Sequence, residues 1–157
     1  MSSGHAEGSM RNLMRRWAAG LRRVLLGPPR WKPASKEGQR GEVLADRYLR
    51  RNGYRVIGRN VRTAAGEADL LCIDPDRTTM VVVEVKSRTL APGQASAPIP
   101  PEASVTREKR QRLQRVARLL ARANGWEDRR WRIDVVAVEI PAAGKEIVRH
   151  TPDLPWL

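Results

Sequence analysis

Asp69, Glu84 and Lys86 are the residues whose types and spacing can do chemistry in this sequence. Two carboxylates and an amine, with no thiolate or imidazole among them, make a hard donor set that suits Mg2+ or Mn2+. A lysine at the edge of such a site can orient or deprotonate water, or neutralise charge developing on a phosphate. A hairpin would bring the three together. GEADLLCI (66–73) and TMVVVEVK (79–86) read as strands, and DPDRT between them is a turn sequence with Pro75 placed to start it. Pairing Asp74 with Thr79 leaves the short loop 75–78, of a common length. Ile73 then meets Met80, Leu71 meets Val82, and Asp69 meets Glu84. Opposed side chains share a face with Cβ atoms about 4.5–5.5 Å apart. Lys86 follows on that face about 6.6–7 Å along the strand, and Glu67 is next in line beside Asp69. Opposed carboxylates repel, and a divalent cation compensates them directly. The run Val81-Val82-Val83 indicates a strand buried on both faces, where a charge without a partner is costly. A one-residue slip would turn one carboxylate to the other face, and a solvated ion pair is the competing reading of the same residues.

Composition removes several other chemistries. The chain has 157 residues, room for one domain of ordinary size. Its single cysteine, Cys72, excludes an internal disulfide framework and a thiolate zinc cluster. His5 and His150 lie near the termini, which disfavours histidine metal sites and a Ser-His-Asp triad. No apolar run is long enough to span a bilayer, and a cytoplasmic location is expected. Lys and Arg number 30 against 17 Asp and Glu, a formal charge of +13. Residues 1–41 hold nine basic and two acidic side chains, and Arg107 to Arg122 holds seven basic ones opposed only by Glu108. Such faces attract polyanions, because neutralising phosphates releases condensed counterions.

Residues 1–34 read as a basic extension. Within it, Met10, Leu13, Met14, Trp17, Leu21, Val24 and Leu25 keep helical spacing opposite five arginines. This predicts an amphipathic helix over 10–26 that could meet an anionic membrane or a protein partner. A compact α/β domain is expected over 35–150, with 151–157 as a tail. Ser35 caps a helix to about Asn52, stopped by Gly53, with Val43, Leu44, Tyr48 and Leu49 on its apolar side. A short strand, 54–58, precedes the hairpin. Residues 87–103, rich in proline, suggest a mobile loop. A basic helix from about Ser104 to Ala123, a strand at 132–140 and a short strand at 146–149 complete the set. This order argues for an α/β fold, a mixed central sheet flanked by helices. The early strand connections are too short for parallel crossovers.

Gly41-Glu42, NGYRVIGRNVR (52–62), GEADLL (66–71), VVVEVKSRT (81–89), the Lys109-bearing helix and RIDVVAV (132–138) together resemble the YraN-like family of predicted bacterial endonucleases. That family falls in the PD-(D/E)XK nuclease superfamily and is similar to archaeal Holliday junction resolvases. The resemblance covers about residues 36–140 and implies a restriction-endonuclease-like core. It implies metal binding by Asp69 and Glu84, a catalytic lysine at Lys86, and completion of the site by Glu42, with Glu67 in a supporting role. Ala68 stands where isoleucine is usual and Ser87 where threonine is common; neither removes a ligand. The implied activity is Mg2+- or Mn2+-dependent endonucleolytic hydrolysis of DNA, most plausibly branched or structured DNA in repair or recombination. The carbonyl of Val85 would share the ion, and Arg88, Lys109, Arg112 and Arg115 would hold flanking phosphates. A symmetric junction resolvase would need a homodimer, which no sequence feature establishes. The alternative is a nuclease fold retained for nucleic-acid binding without cleavage.

Overall fold

The structure, a computed structural model, describes residues 35–94 and 105–154. The helix expected at 10–26 and the far part of the proline-rich loop lie outside the described residues. Ser35 caps α1 (Lys36–Arg51), its hydroxyl accepting from the Gly38 N–H at 3.1 Å. Beyond the Asn52 cap, Gly53 takes the left-handed turn at φ 84°. The chain then forms β1 (Arg55–Thr63), β2 (Gly66–Ile73) and β3 (Met80–Leu90). Thr106 caps α2 (Arg107–Asn124), which crosses back to β4 (Trp131–Pro141), and β5 (Ile147–Thr151) follows.

The five strands lie in sequence order. The β3–β4 pair is parallel, joined by the α2 crossover, and the other neighbours are antiparallel. This is the mixed α/β sheet expected, with the restriction-endonuclease-like core. One helix covers each face. Ala45 and Leu49 of α1 pack on Leu70, Cys72, Val81, Val83, Val136 and Val138. Leu113, Val116, Ala117 and Leu120 of α2 pack on Leu71, Ile73, Met80, Val82, Ile133 and Val135. The valine run is therefore buried from both sides, as its composition demands.

Several elements extend beyond their sequence signals. β1 continues to Thr63 and β3 to Leu90, so residues 87–90, expected in a loop, are strand. Parallel pairing with β4 carries that extension through Leu90↔Pro141. β5 reaches Thr151, and Leu154 is buried in the α2-side core with its N–H donating to Ile133 O at 2.8 Å. Val43, expected on the apolar side of α1, is half exposed. The helix instead buries the narrow stripe Gly41, Ala45, Asp46 and Leu49, whose small members let it approach the sheet closely.

Candidate metal and nucleic-acid site

The hairpin forms in the expected register. Asp74 N–H donates to Thr79 O at 3.0 Å, and the pairs Ile73↔Met80, Leu71↔Val82 and Leu70↔Val83 follow. Asp76 secures the turn by accepting from the Thr78 and Thr79 N–H groups at 2.7 and 2.8 Å. Ladder pairing stops at Leu70↔Val83, and β3 continues along β4 while β2 leaves it. The candidate site lies at this fork.

Glu84 is buried at the fork, its side chain only 4 % exposed. Lys86 Nζ stands 3.0 Å from Glu84 Oε1, and Lys109 Nζ, from the first turn of α2, stands 2.8 Å from Oε2. The Lys109 ammonium thus compensates the buried Oε2 by charge, at angles outside those of an ordinary hydrogen bond. Asp69 Oδ2 accepts from the Val85 N–H at 2.6 Å, which ties β2 to β3 where the ladder has ended. Burial raises the Asp69 pKa first, the neighbouring Glu84 charge adds to it and Glu42 adds less, while the Val85 N–H and Lys109 oppose them. The net effect pushes Asp69 up to about 7. Asp69 thus feels groups carried by both helices, Glu42 from α1 and Lys109 from α2.

Close packing of α1 on β3 delivers Glu42. A Cβ at Gly41 would lie 2.3 Å from Ser87 Cβ and 2.6 Å from Ser87 Oγ, so glycine alone fits there. Ser87 Oγ donates to Glu37 O at 3.3 Å, and the Thr89 N–H donates to Glu37 Oε1, which fixes the first turn of α1 against the same strand. Gly41→Ala should lower thermal stability by about 1–3 kcal/mol through this overlap. Adding Ser87→Gly should recover most of the loss in a melting experiment, since it removes the atoms that Cβ meets.

Three expected residues, Glu67, Arg88 and Lys109, lie elsewhere in their bonding. Glu67, expected beside Asp69, pairs with Arg62 across the β1–β2 hairpin at 3.3 Å. The reason is a change of side at Asp69. Val61 and Ala68 pack under α2, whereas Arg59 reaches Asp46 of α1 and Leu70 packs under α1. Strict alternation, which would have put Glu67 on the Asp69 face, is broken there. Arg88, expected to hold phosphate, is bound to buried Glu139, its Nε donating at 2.9 Å, and Arg149 reaches the same carboxylate at 3.1 Å. The parallel register places Arg88 beside Glu139. Arg112 and Arg115 are exposed on α2, as expected. Lys109 turns to Glu84 rather than outward. Cys72 is fully buried and its thiol pKa is raised by that burial, so it offers no nucleophile.

The donor set fits a hard divalent ion in a particular way. Among the described residues, no three His, Cys, Asp or Glu side chains stand together as a group that could hold a metal ion, so Glu42, expected to complete the site, does not join Asp69 and Glu84 in one ligand set. Asp69 and Glu84 instead form a repelling carboxylate pair, and both oxygens of Glu84 are met by lysine ammonium groups. Mg2+ is commonly held by one or two carboxylates while it keeps several waters. Among the described residues no helix is long and apolar enough to cross a membrane.

Comparison with known proteins agrees with the motifs. The profile described as "Uncharacterised protein family UPF0102" matches residues 41–138, from the glycine that seats α1 to the middle of β4. A UPF0102 protein of Desulfosudis oleivorans is 35% identical over 117 residues, covering 74% of this chain and 89% of that protein. One from Mycobacterium avium is 40% identical over 123 residues, covering 76% and 85%. One from Nitratidesulfovibrio vulgaris is 45% identical over 102 residues, covering 64% and 70%. The matched span contains Glu42, Asp69, Glu84, Lys86 and Lys109, and the chain belongs to UPF0102, the YraN-like family that its motifs resemble.

Proposed function

We propose that the protein is a Mg2+- or Mn2+-dependent endonuclease that hydrolyses phosphodiester bonds in DNA, branched or structured DNA above all. The observation that carries this reading is the fork between β2 and β3, where Asp69 and Glu84 feel each other's charge and Lys86 lies 3.0 Å from Glu84. Asp69 and Glu84 would hold the ion, with Glu42 and the Val85 carbonyl as further oxygen donors. When bound, the ion would polarise a phosphate oxygen and lower the pKa of water.

The chain's own residues divide the remaining work. Lys86 has a side chain 41% exposed, so its amine reaches from the buried carboxylate toward solvent. There it can orient water or stabilise negative charge on the phosphate. Lys109 carries a second positive charge to the same carboxylate from α2. Arg112 and Arg115 continue a basic face along that helix, about 27 Å long over its 18 residues. These arginines would hold phosphates, which positions substrate without reading its sequence. Replacing Arg112 and Arg115 together by alanine should weaken binding to all DNA sequences alike. It should also lower the slope of log affinity against log salt by about 2; an unchanged slope would remove this face from the interface.

One observation favours a second reading, a nucleic-acid-binding protein that does not cut. Lys86 and Lys109 already supply two positive charges to Glu84, as a purely structural ion cluster would. Labelled duplex, single-stranded, flapped and four-way DNAs, incubated with Mg2+, Mn2+ or chelator, separate the two. The nuclease reading predicts divalent-dependent products from at least one of them. Binding to all four with no product in either metal would favour the second reading.

A further inference from the structure

Asn60 lies in the middle of β1, yet its φ is 48°, in the left-handed region. Among non-glycine residues Asn tolerates this conformation best, although it still carries a cost inside a strand. The β1–β2 register, Arg59↔Leu70 on one side and Val61↔Ala68 on the other, places Asn60 opposite Asp69. Both strands change sides here. Arg59 faces α1 and Val61 faces α2, while Leu70 faces α1 and Ala68 faces α2. The half-buried side chain of Asn60 points at α1, where its Nδ2 donates to Glu42 Oε2 at 3.0 Å.

We infer that Asn60 is a positioning residue for the metal site, acting through Glu42. This rests on the metal-dependent reading above. An amide donor on one oxygen of Glu42 fixes the carboxylate's rotation and leaves the other oxygen to be aimed. The left-handed backbone is what lets Asn60 reach α1 while the facing position of β2 presents Asp69. The two acids are thereby set from a single break in the β1–β2 ladder. Hydrogen-bond partners of metal-ligating carboxylates govern metal affinity, and losing one commonly weakens binding about 10–100-fold.

Asn60→Gly retains the backbone conformation and deletes the amide, so it separates positioning from folding. Mn2+ is titrated calorimetrically into the wild type, Asn60→Gly, Glu42→Ala and the double variant, with melting temperatures measured without metal. The expected result is a loss of Mn2+ affinity of about tenfold or more in Asn60→Gly. That loss should shrink to less than about twofold when Glu42 is already alanine, because the two residues act as a unit. Equal losses in both backgrounds, or no loss in either, would overturn the inference while leaving the metal site standing. If the glycine variant melts far below the wild type, Asn60→Asp supplies the second test. It keeps the left-handed preference and the shape but replaces the donor by an acceptor, and wild-type Mn2+ affinity together with unchanged coupling to Glu42 would overturn the inference. A wild type that binds no Mn2+ would overturn the underlying reading and this inference with it.

Discussion

Asp69→Asn should make the protein more stable at pH 8 while abolishing divalent-dependent cleavage. The carboxylate is held against burial and the Glu84 charge, which raise its pKa from the ordinary carboxylate value to about 7. An acid with a raised folded-state pKa favours folding while protonated and opposes it once ionised. The unfolded chain ionises near pH 4, so stability falls from about pH 4 to about pH 7 and stays reduced above that. Asparagine has nearly the same shape, and its carbonyl can still accept from the Val85 N–H. At one pKa unit per about 1.4 kcal/mol, the variant should gain about 2–4 kcal/mol at pH 8, the gain narrowing by pH 5.5 and closing near pH 4. Urea unfolding at these three pH values checks it. A destabilised variant at pH 8 would show that Asp69 is an ordinary structural carboxylate rather than one held in a repelling pair.

The second large effect belongs to a buried cluster on the other side of the fold's chemistry. Asp134 is fully buried and takes two hydrogen bonds from Arg132, at 2.9 and 3.1 Å, and one from the Asp153 N–H at 3.0 Å. His150 Nε2 lies 2.8 Å from its other oxygen, edge-on to Tyr48 and Tyr54. Arg132 also reaches Asp74 at 2.6 Å and the Tyr54 hydroxyl at 2.7 Å. Burial alone would raise the Asp134 pKa, but the His150, Arg132 and Asp153 hydrogen bonds outweigh it and the net direction is down. Asp134→Ala should therefore cost about 3–5 kcal/mol, because Arg132 keeps only Asp74 as counter-charge while His150 and the Asp153 N–H lose their buried acceptor. Its pH signature has the opposite sign to that of Asp69. The stabilisation by Asp134 is complete above the unfolded carboxylate pKa near 4 and is lost as pH falls through the lower folded value. A melting temperature within about 2 °C of the wild type at pH 7 would refute the assignment of Asp134 as a main fastening of β4 to β5.

The hairpin was legible because its evidence was local. A turn sequence, two apolar strands and a loop of common length define one register, and Leu71↔Val82 follows from them. Strand alternation predicts Glu67 beside Asp69, and the left-handed residue Asn60 marks the break that places it on Arg62 instead. Asn60 lies beyond the strand expected at 54–58, and sequence alone reveals neither that β1 runs through it nor that its φ is positive. Arg88 could be read as basic but not as clamped, since its partner Glu139 lies across a parallel pairing reached only after the α2 crossover. Val43 was assigned to the core by helical spacing, whereas the close approach of Gly41 to Ser87 turns α1 onto its smallest residues. For Arg88 and Val43 a tertiary contact redirects the side chain, whereas for Glu67 a local break in the strand does.

The most direct test of the account is single-turnover cleavage by wild type, Asp69→Asn and Lys86→Ala, run side by side in Mn2+ with DNA binding measured on the same preparations. The account predicts products from a branched or duplex substrate with the wild type, a rate reduced about a thousandfold or more in either variant, and DNA affinity within a few fold of wild type in both. Equal cleavage by wild type and Lys86→Ala, or none by a folded wild type that binds DNA, would contradict it.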